Sequence, residues 1–271
     1  MDRRNLLCGF GLSALSLVAR KSHASSLEVT RGSVLASPQL SLRASKATAL
    51  ATEPSPTEAS AWPSSVAGVA LPESKIARQA TDLARTVSPP YLFNHCVRTF
   101  LWGSLAGRAM GKSFDEEMLY LACILHDLGL TDRYQGDSPF EIQGAEAARH
   151  FLEDNGFSKQ SAEIIWDGIA MHASPIGGFK RPEIALVGEG AGSDVLGPDP
   201  ARIHADVVAE VHKAFPRLGF KIAFVKTCAD VVRKYPRGAS AGFMRDVRER
   251  YATDYHPKNF CDRIEAAPFS E

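Results

Sequence analysis

Four residues in this chain have the types and spacing to hold a divalent cation. His126 and Asp127 are adjacent, in the run Leu121-Ala122-Cys123-Ile124-Leu125-His126-Asp127-Leu128-Gly129. The five residues before them are apolar, so the pair ends a core-facing helix and faces the interior or a cleft. Burying an imidazole and a carboxylate together is costly unless they pair or bind a cation. Both are donors that zinc, Fe2+ and Mn2+ accept. On its own such a dipeptide is read first as a surface or capping pair. His95, in Phe93-Asn94-His95-Cys96-Val97, changes that reading. It lies near the start of the preceding apolar helix, and the short turn between the two helices predicts antiparallel packing, which sets His95 level with His126. Asp194 sits in Glu189-Gly190-Ala191-Gly192-Ser193-Asp194-Val195-Leu196. Its small neighbours allow close helix approach. Spacing leaves two readings open for it, a fourth ligand or a surface Asp near a helix end.

Two further residues carry alternatives. His172 ends a helix with the stripe Ile164, Ile165 and Ile169. It is read either as a cation stabilised by the helix dipole or as a group that contacts substrate and moves a proton. Glu141 opens a helix, where it complements the dipole or orients a ligand histidine. His150, His204, His212 and His256 have no partners in sequence and are assigned to the surface.

The elements that must position these residues are helices. Ile76, Ala80, Leu83 and Val87 form a stripe that ends at Ser88-Pro89-Pro90. The next helix covers about 91–110. Ser113 and Glu116 have capping-box spacing and open a third helix ending at Gly129. A loop over 130–139 follows, then helices near 140–154, 158–172, 182–196, 204–215, 218–235 and 238–252, each bounded by Gly or Pro. No period-2 run of β-branched residues is present. The class is all-α, with no internal repeat.

The ordered residues resemble the HD-domain metalloenzyme superfamily, and within it the cyanamide hydratase-like branch. The matching blocks are Asn94-His95-Cys96-Val97-Arg98, Leu125-His126-Asp127-Leu128-Gly129-Leu130-Thr131, Phe140-Glu141-Ile142-Gln143-Gly144-Ala145, Met171-His172-Ala173-Ser174 and Gly190-Ala191-Gly192-Ser193-Asp194-Val195-Leu196-Gly197. The resemblance implies an HD-type helical bundle and one divalent metal, zinc first with Fe2+ or Mn2+ as alternatives. It implies His95, His126, Asp127 and Asp194 as ligands and places His172 by the metal pocket. Leu130 stands where two-metal members of the superfamily have Lys after His-Asp-x-Gly, which argues for one metal. The expected reaction is metal-assisted addition of water to a small nitrile such as cyanamide, with Asp127 accepting the water's proton and His172 relaying one to the substrate. Hydrolysis of a nucleotide or other phosphate ester competes with it. Arg98, Arg133 and the Lys180-Arg181 pair are the only nearby cations in sequence, a thin set for phosphate. A non-catalytic module stapled by metal is the third reading.

Composition bounds the remainder. The chain has 271 residues, with Lys+Arg and Asp+Glu both at 31. A formally neutral chain offers no global electrostatic case for nucleic acid, so the expected partner is a small molecule. Arg3 and Arg4 precede an apolar stretch over 6–18, of signal-peptide length and too short to span a bilayer. With Asn5-Leu6-Leu7 it resembles a twin-arginine signal ending near residue 24, which predicts export to a bacterial periplasm and no stable membrane insertion after processing. Residues 25–66 are rich in Ser, Ala, Thr and Pro and are predicted to be a disordered linker. The metal-binding domain then spans 67–271. Cys96, Cys123 and Cys228 lie in apolar helical contexts and are expected as buried free thiols.

Overall fold

A computed structural model describes residues 62–257 and 259–267. The predicted signal and nearly all of the predicted linker lie outside the described residues.

The all-α expectation holds. A two-stranded hairpin, β1 (Ser65–Val66) and β2 (Val69–Ala70), precedes α1 (Lys75–Val87), α2 (Pro90–Ala109), α3 (Glu116–Leu125), α4 (Phe140–Asp154), α5 (Lys159–Met171), α6 (Pro182–Leu196), α7 (Ala205–Ala214), α8 (Phe220–Lys234), α9 (Gly242–Tyr251) and α10 (Phe260–Glu265). Short 3-10 turns fill Leu128–Leu130 and Pro175–Phe179. No helix among the described residues is long and apolar enough to cross a membrane.

α2 is the axis of the bundle. Leu92, Phe93, Cys96, Val97, Phe100, Leu101 and Trp102 are all buried, so the helix is apolar around most of its circumference and takes neighbours on several sides. α3 and α6 flank it, and α8 touches it near its start. The crossing with α6 is close. A Cβ added at Gly190 would lie 2.1 Å from the carbonyl oxygen of Thr99 in α2. The small residues of α6 therefore do what their sizes imply.

Two apolar clusters result. The larger gathers the hairpin and α1 to α7 around Phe100, Leu101, Tyr120, Leu121, Ile165 and Val187. The smaller joins Leu92 and Phe140 to Phe220, Phe224, Val232 and Met244 from α8 and α9. Cys96, Cys123 and Cys228 are buried and unbridged, as expected.

Two expectations need correction. Residues 62–66 were assigned to the linker by composition, but they pack on the core. Trp62 meets Phe93 and Phe215 at ring-centroid distances of 6.1 and 5.4 Å, with the Arg85 guanidinium 5.0 Å over its ring. Val66 is buried, and the hairpin turns through Ala67 and Gly68, both at positive φ. One aromatic and one turn anchor the segment, and a composition window averages such features away. The cap of α3 is also not Ser113. Asp115, two residues after Ser113, takes that place: it accepts from the Met118 N–H at 3.0 Å, and Glu183 of α6 accepts the Asp115 N–H and holds that residue at the helix start.

Candidate metal centre

Local structure brings the donors together. His95 projects from the second turn of α2. His126 is the C-terminal cap of α3, and Asp127 follows with φ −99° and ψ 14° before the 3-10 turn. That turn is pressed against the start of α4, since a Cβ at Gly129 would sit 1.9 Å from the Phe140 carbonyl oxygen. Antiparallel packing of α2 and α3 sets His95 level with His126, as their positions in sequence predicted.

His95, His126 and Asp127 form one buried cluster with a ligand atom from each within 4.8 Å of the others. Asp127 Oδ2 lies 3.3 Å from His126 Nε2 and 3.5 Å from His95 Nε2. Donors about 2.0–2.1 Å from a tetrahedral zinc are about 3.3 Å apart, so the spacing is that of one coordination shell. His126 Nε2 and Asp127 Oδ2 have no hydrogen-bond partner although both are buried. Orphaned buried donors and acceptors of this kind call for a cation. The tautomers agree. His126 Nδ1–H donates to the Cys123 carbonyl at 2.7 Å and His95 Nδ1–H donates to Asp194 Oδ2 at 2.7 Å. Both rings thus present Nε2 lone pairs to the cluster. Burial pushes the His126 imidazole down to about 3 and the Asp127 carboxyl up. The imidazole is in its ligating form without help, and a divalent cation reverses the balance for the carboxylate.

Asp194 is placed differently from the ligand role read in sequence. It is buried against His95, on the side of the ring away from the cluster. Arg98 Nε and Nη2 donate to its two oxygens at 2.7 Å each, and Trp102 Nε1 donates at 2.9 Å. Burial raises this carboxyl, but the bonds from Arg98 and His95 outweigh that and hold it well below the usual carboxylate range.

His172 caps α5 and stands edge to face with His126, ring centroids 4.8 Å apart. Its Nδ1–H donates to the Ile169 carbonyl at 2.7 Å, leaving Nε2 with the lone pair. Burial and the His126 ring beside it lower its pKa to about 4, so it is neutral at pH 7. The helix-dipole reading needed a cation there and does not fit. Glu141 makes no bond to either ligand histidine, whose Nδ1 atoms are taken by Asp194 and Cys123. Burial raises it to about 7.

Aromatic rings close the site, and these sequence reasoning missed. Phe220 stacks on His95 at 4.7 Å, Phe224 lies 5.7 Å from the same ring, and Phe140 packs 5.6 Å from His172. Phe220 and Phe224 are spaced i, i+4, a usable signal in a segment without motifs. Arg98 and Trp102 follow His95 by three and seven residues on one face of α2, and that spacing was also visible.

The family comparison decides between readings. Residues 92–190 match the HD domain family. This chain carries an HD domain. The matched segment opens at α2 and closes in α6, so it contains the whole three-residue cluster. The chain is 25% identical over 185 residues to the cyanamide hydratases DDI2 and DDI3 of Saccharomyces cerevisiae, covering 66% of this chain and 82% of each of them. It is also 34% identical over 59 residues to an uncharacterized protein of Clostridium beijerinckii, covering 22% of this chain and 38% of that one. The HD match over residues 92–190, the likeness to the two hydratases and the buried His95–His126–Asp127 cluster support a metal-dependent enzyme of the HD type.

Proposed function

We propose that this HD enzyme adds water across the carbon–nitrogen triple bond of a small uncharged nitrile of the cyanamide type. The observation that carries this is the character of the wall. The rings packed on the cluster histidines are the phenyls of Phe220 and Phe224 and the imidazole of His172, itself packed on Phe140. Phosphate recognition wants free guanidinium or ammonium groups. Arg98, behind His95, is fully buried and held by Asp194 and by the Phe215 and Pro216 carbonyls, and Arg217 donates to the Asp194 carbonyl. Arg133 and Lys180 are exposed, and Arg181 pairs with Glu183 at 2.8 Å. The likeness to the two cyanamide hydratases supports the same reading.

A divalent metal held by His95, His126 and Asp127 would supply Lewis acidity and lower the pKa of a water molecule in the site. His172 Nε2 is the atom that takes the water's proton as oxygen bonds to the nitrile carbon. One carbon–nitrogen π bond breaks, and the resulting imidazolium returns the proton to the nitrile nitrogen. Shift of the second proton from oxygen to nitrogen completes an amide, or urea from cyanamide. This gives His172 the base role that the sequence reading had offered to Asp127, because Asp127 Oδ2 is directed at the two Nε2 atoms. The phenyl rings of Phe220, Phe224 and Phe140 exclude bulk water and charged substrates. The basic head and apolar stretch of residues 3–18 support export as the setting for this chemistry.

The test is zinc-loaded protein assayed against cyanamide and against p-nitrophenyl phosphate. Urea formation without phosphate release is the expected outcome. Phosphate release without urea formation would overturn the proposal.

A further inference from the structure

The four lone-pair sites of the Asp194 carboxylate are all filled by protein donors. Oδ1 accepts from Arg98 Nε at 2.7 Å and Trp102 Nε1 at 2.9 Å, while Oδ2 accepts from Arg98 Nη2 and His95 Nδ1, both at 2.7 Å. A carboxylate offers about four such sites, so none is left for a metal. The clamp is itself anchored. Arg98 Nη1 donates to the Phe215 and Pro216 carbonyls, and Arg217 donates to the Asp194 carbonyl at 2.7 Å. Arg98 and Asp194 are both inaccessible to solvent. His126 has no such support, since its Nδ1–H rests on a main-chain carbonyl.

We propose that Asp194 is a positioning residue and not a ligand, and that Arg98 and Trp102 set the metal affinity of the site through it. The bidentate pair with Arg98 fixes the carboxylate plane. The carboxylate holds the His95 proton on Nδ1 and so keeps the Nε2 lone pair on the cluster. Carboxylate partners of this kind raise the basicity of a ligand imidazole, and their loss typically lowers metal affinity about 10–100-fold. Asn in place of Asp194 sets its amide N–H against an Arg98 donor in either orientation, together with Trp102 in the Oδ1 place or with His95 in the Oδ2 place. If it faces His95, Nδ1 becomes an acceptor and the ring proton moves to Nε2, where it blocks the metal.

This inference rests on the three-residue metal centre, and the experiment separates the two. In metal-free wild-type protein, nitrogen-15 NMR of the histidine side chains should find the His95 proton on Nδ1. Cobalt(II) binding is then measured against a competing chelator for wild type, Asp194→Asn, Arg98→Lys and Trp102→Phe. Affinity should fall about 10–100-fold in Asp194→Asn and by a smaller factor in the other two. The visible cobalt bands at saturation should keep the wild-type shape, because the ligand set is unchanged. A wild-type His95 proton on Nε2, or cobalt bands of altered coordination in Asp194→Asn, would overturn the proposal. So would an Arg98→Lys protein that binds cobalt as tightly as wild type or tighter, the result expected of a ligand carboxylate released from its arginine. Wild-type protein that fails to bind cobalt would overturn the metal centre itself. The NMR measurement needs no variant to fold.

Discussion

His126 and His172 share an edge-to-face contact, yet their ring nitrogens have different work. His126 Nε2 is buried without a partner between two other donors. His172 lies outside that group and retains its Nε2 lone pair. The difference gives a paired prediction. His126→Ala should lose most bound metal, because it removes one of three ligands from a buried site. His172→Ala should keep the metal and lose turnover by roughly 10²–10⁴-fold, the usual worth of a positioned proton-transfer group. Stoichiometry and turnover measured on the same preparations check both. Full metal occupancy in the first variant, or unchanged turnover in the second, would contradict the assignments. The fold should tolerate His172→Ala, because a neutral imidazole at a helix end gains little from the dipole.

At the scale of elements, the site depends on how closely α6 approaches α2. Gly190 lies one turn before Asp194, and its missing side chain lets the α6 backbone sit against the Thr99 carbonyl. Gly190→Ala should force the helices apart and lower stability by about 1–3 kcal/mol, the range for overpacked positions. It should also weaken metal binding, because Asp194 moves with its helix. Gly192 in the same helix is the control, since nothing lies within 4 Å of a Cβ there. Gly192→Ala should be neutral or stabilising by up to about 1 kcal/mol through helix propensity. Urea denaturation of the two variants tests the pair, and equal effects would place the sensitivity in the glycines themselves and not in the crossing.

At the scale of the molecule, the domain reaches further toward the N-terminus than its helices do. Trp62 bridges Phe93 of α2 and Phe215 after α7, so it ties together segments far apart in sequence. Its Arg85 contact adds α1. Trp62→Ala should destabilise the domain by roughly 2–3 kcal/mol, below the roughly 3–5 typical of a buried large aromatic, because Trp62 is only half-buried. Thermal melting checks this, and an unchanged midpoint would return residues 62–66 to the linker. The smaller apolar cluster acts at the same scale. It brings α8, which carries no motif, against His95, and α9 packs behind it through Phe243 on Phe224 and Phe140.

The class and the order of helices were legible because periodicity and Gly or Pro breaks are local properties, and tertiary packing reinforced them. The cluster was legible for a related reason. His95 and His126-Asp127 sit at the facing ends of two helices joined by a short turn, and antiparallel packing leaves them little choice but to meet. Asp194 was not legible to the same degree. Its sequence neighbourhood is satisfied equally by a ligand and by a carboxylate behind one. Only the tertiary structure decided where it points, because Arg98 and Trp102 come from another helix and fill its lone pairs. The aromatic wall was hidden for the same physical reason. Phe220 and Phe224 acquire a role only when α8 folds back across α2, more than a hundred residues away in the chain.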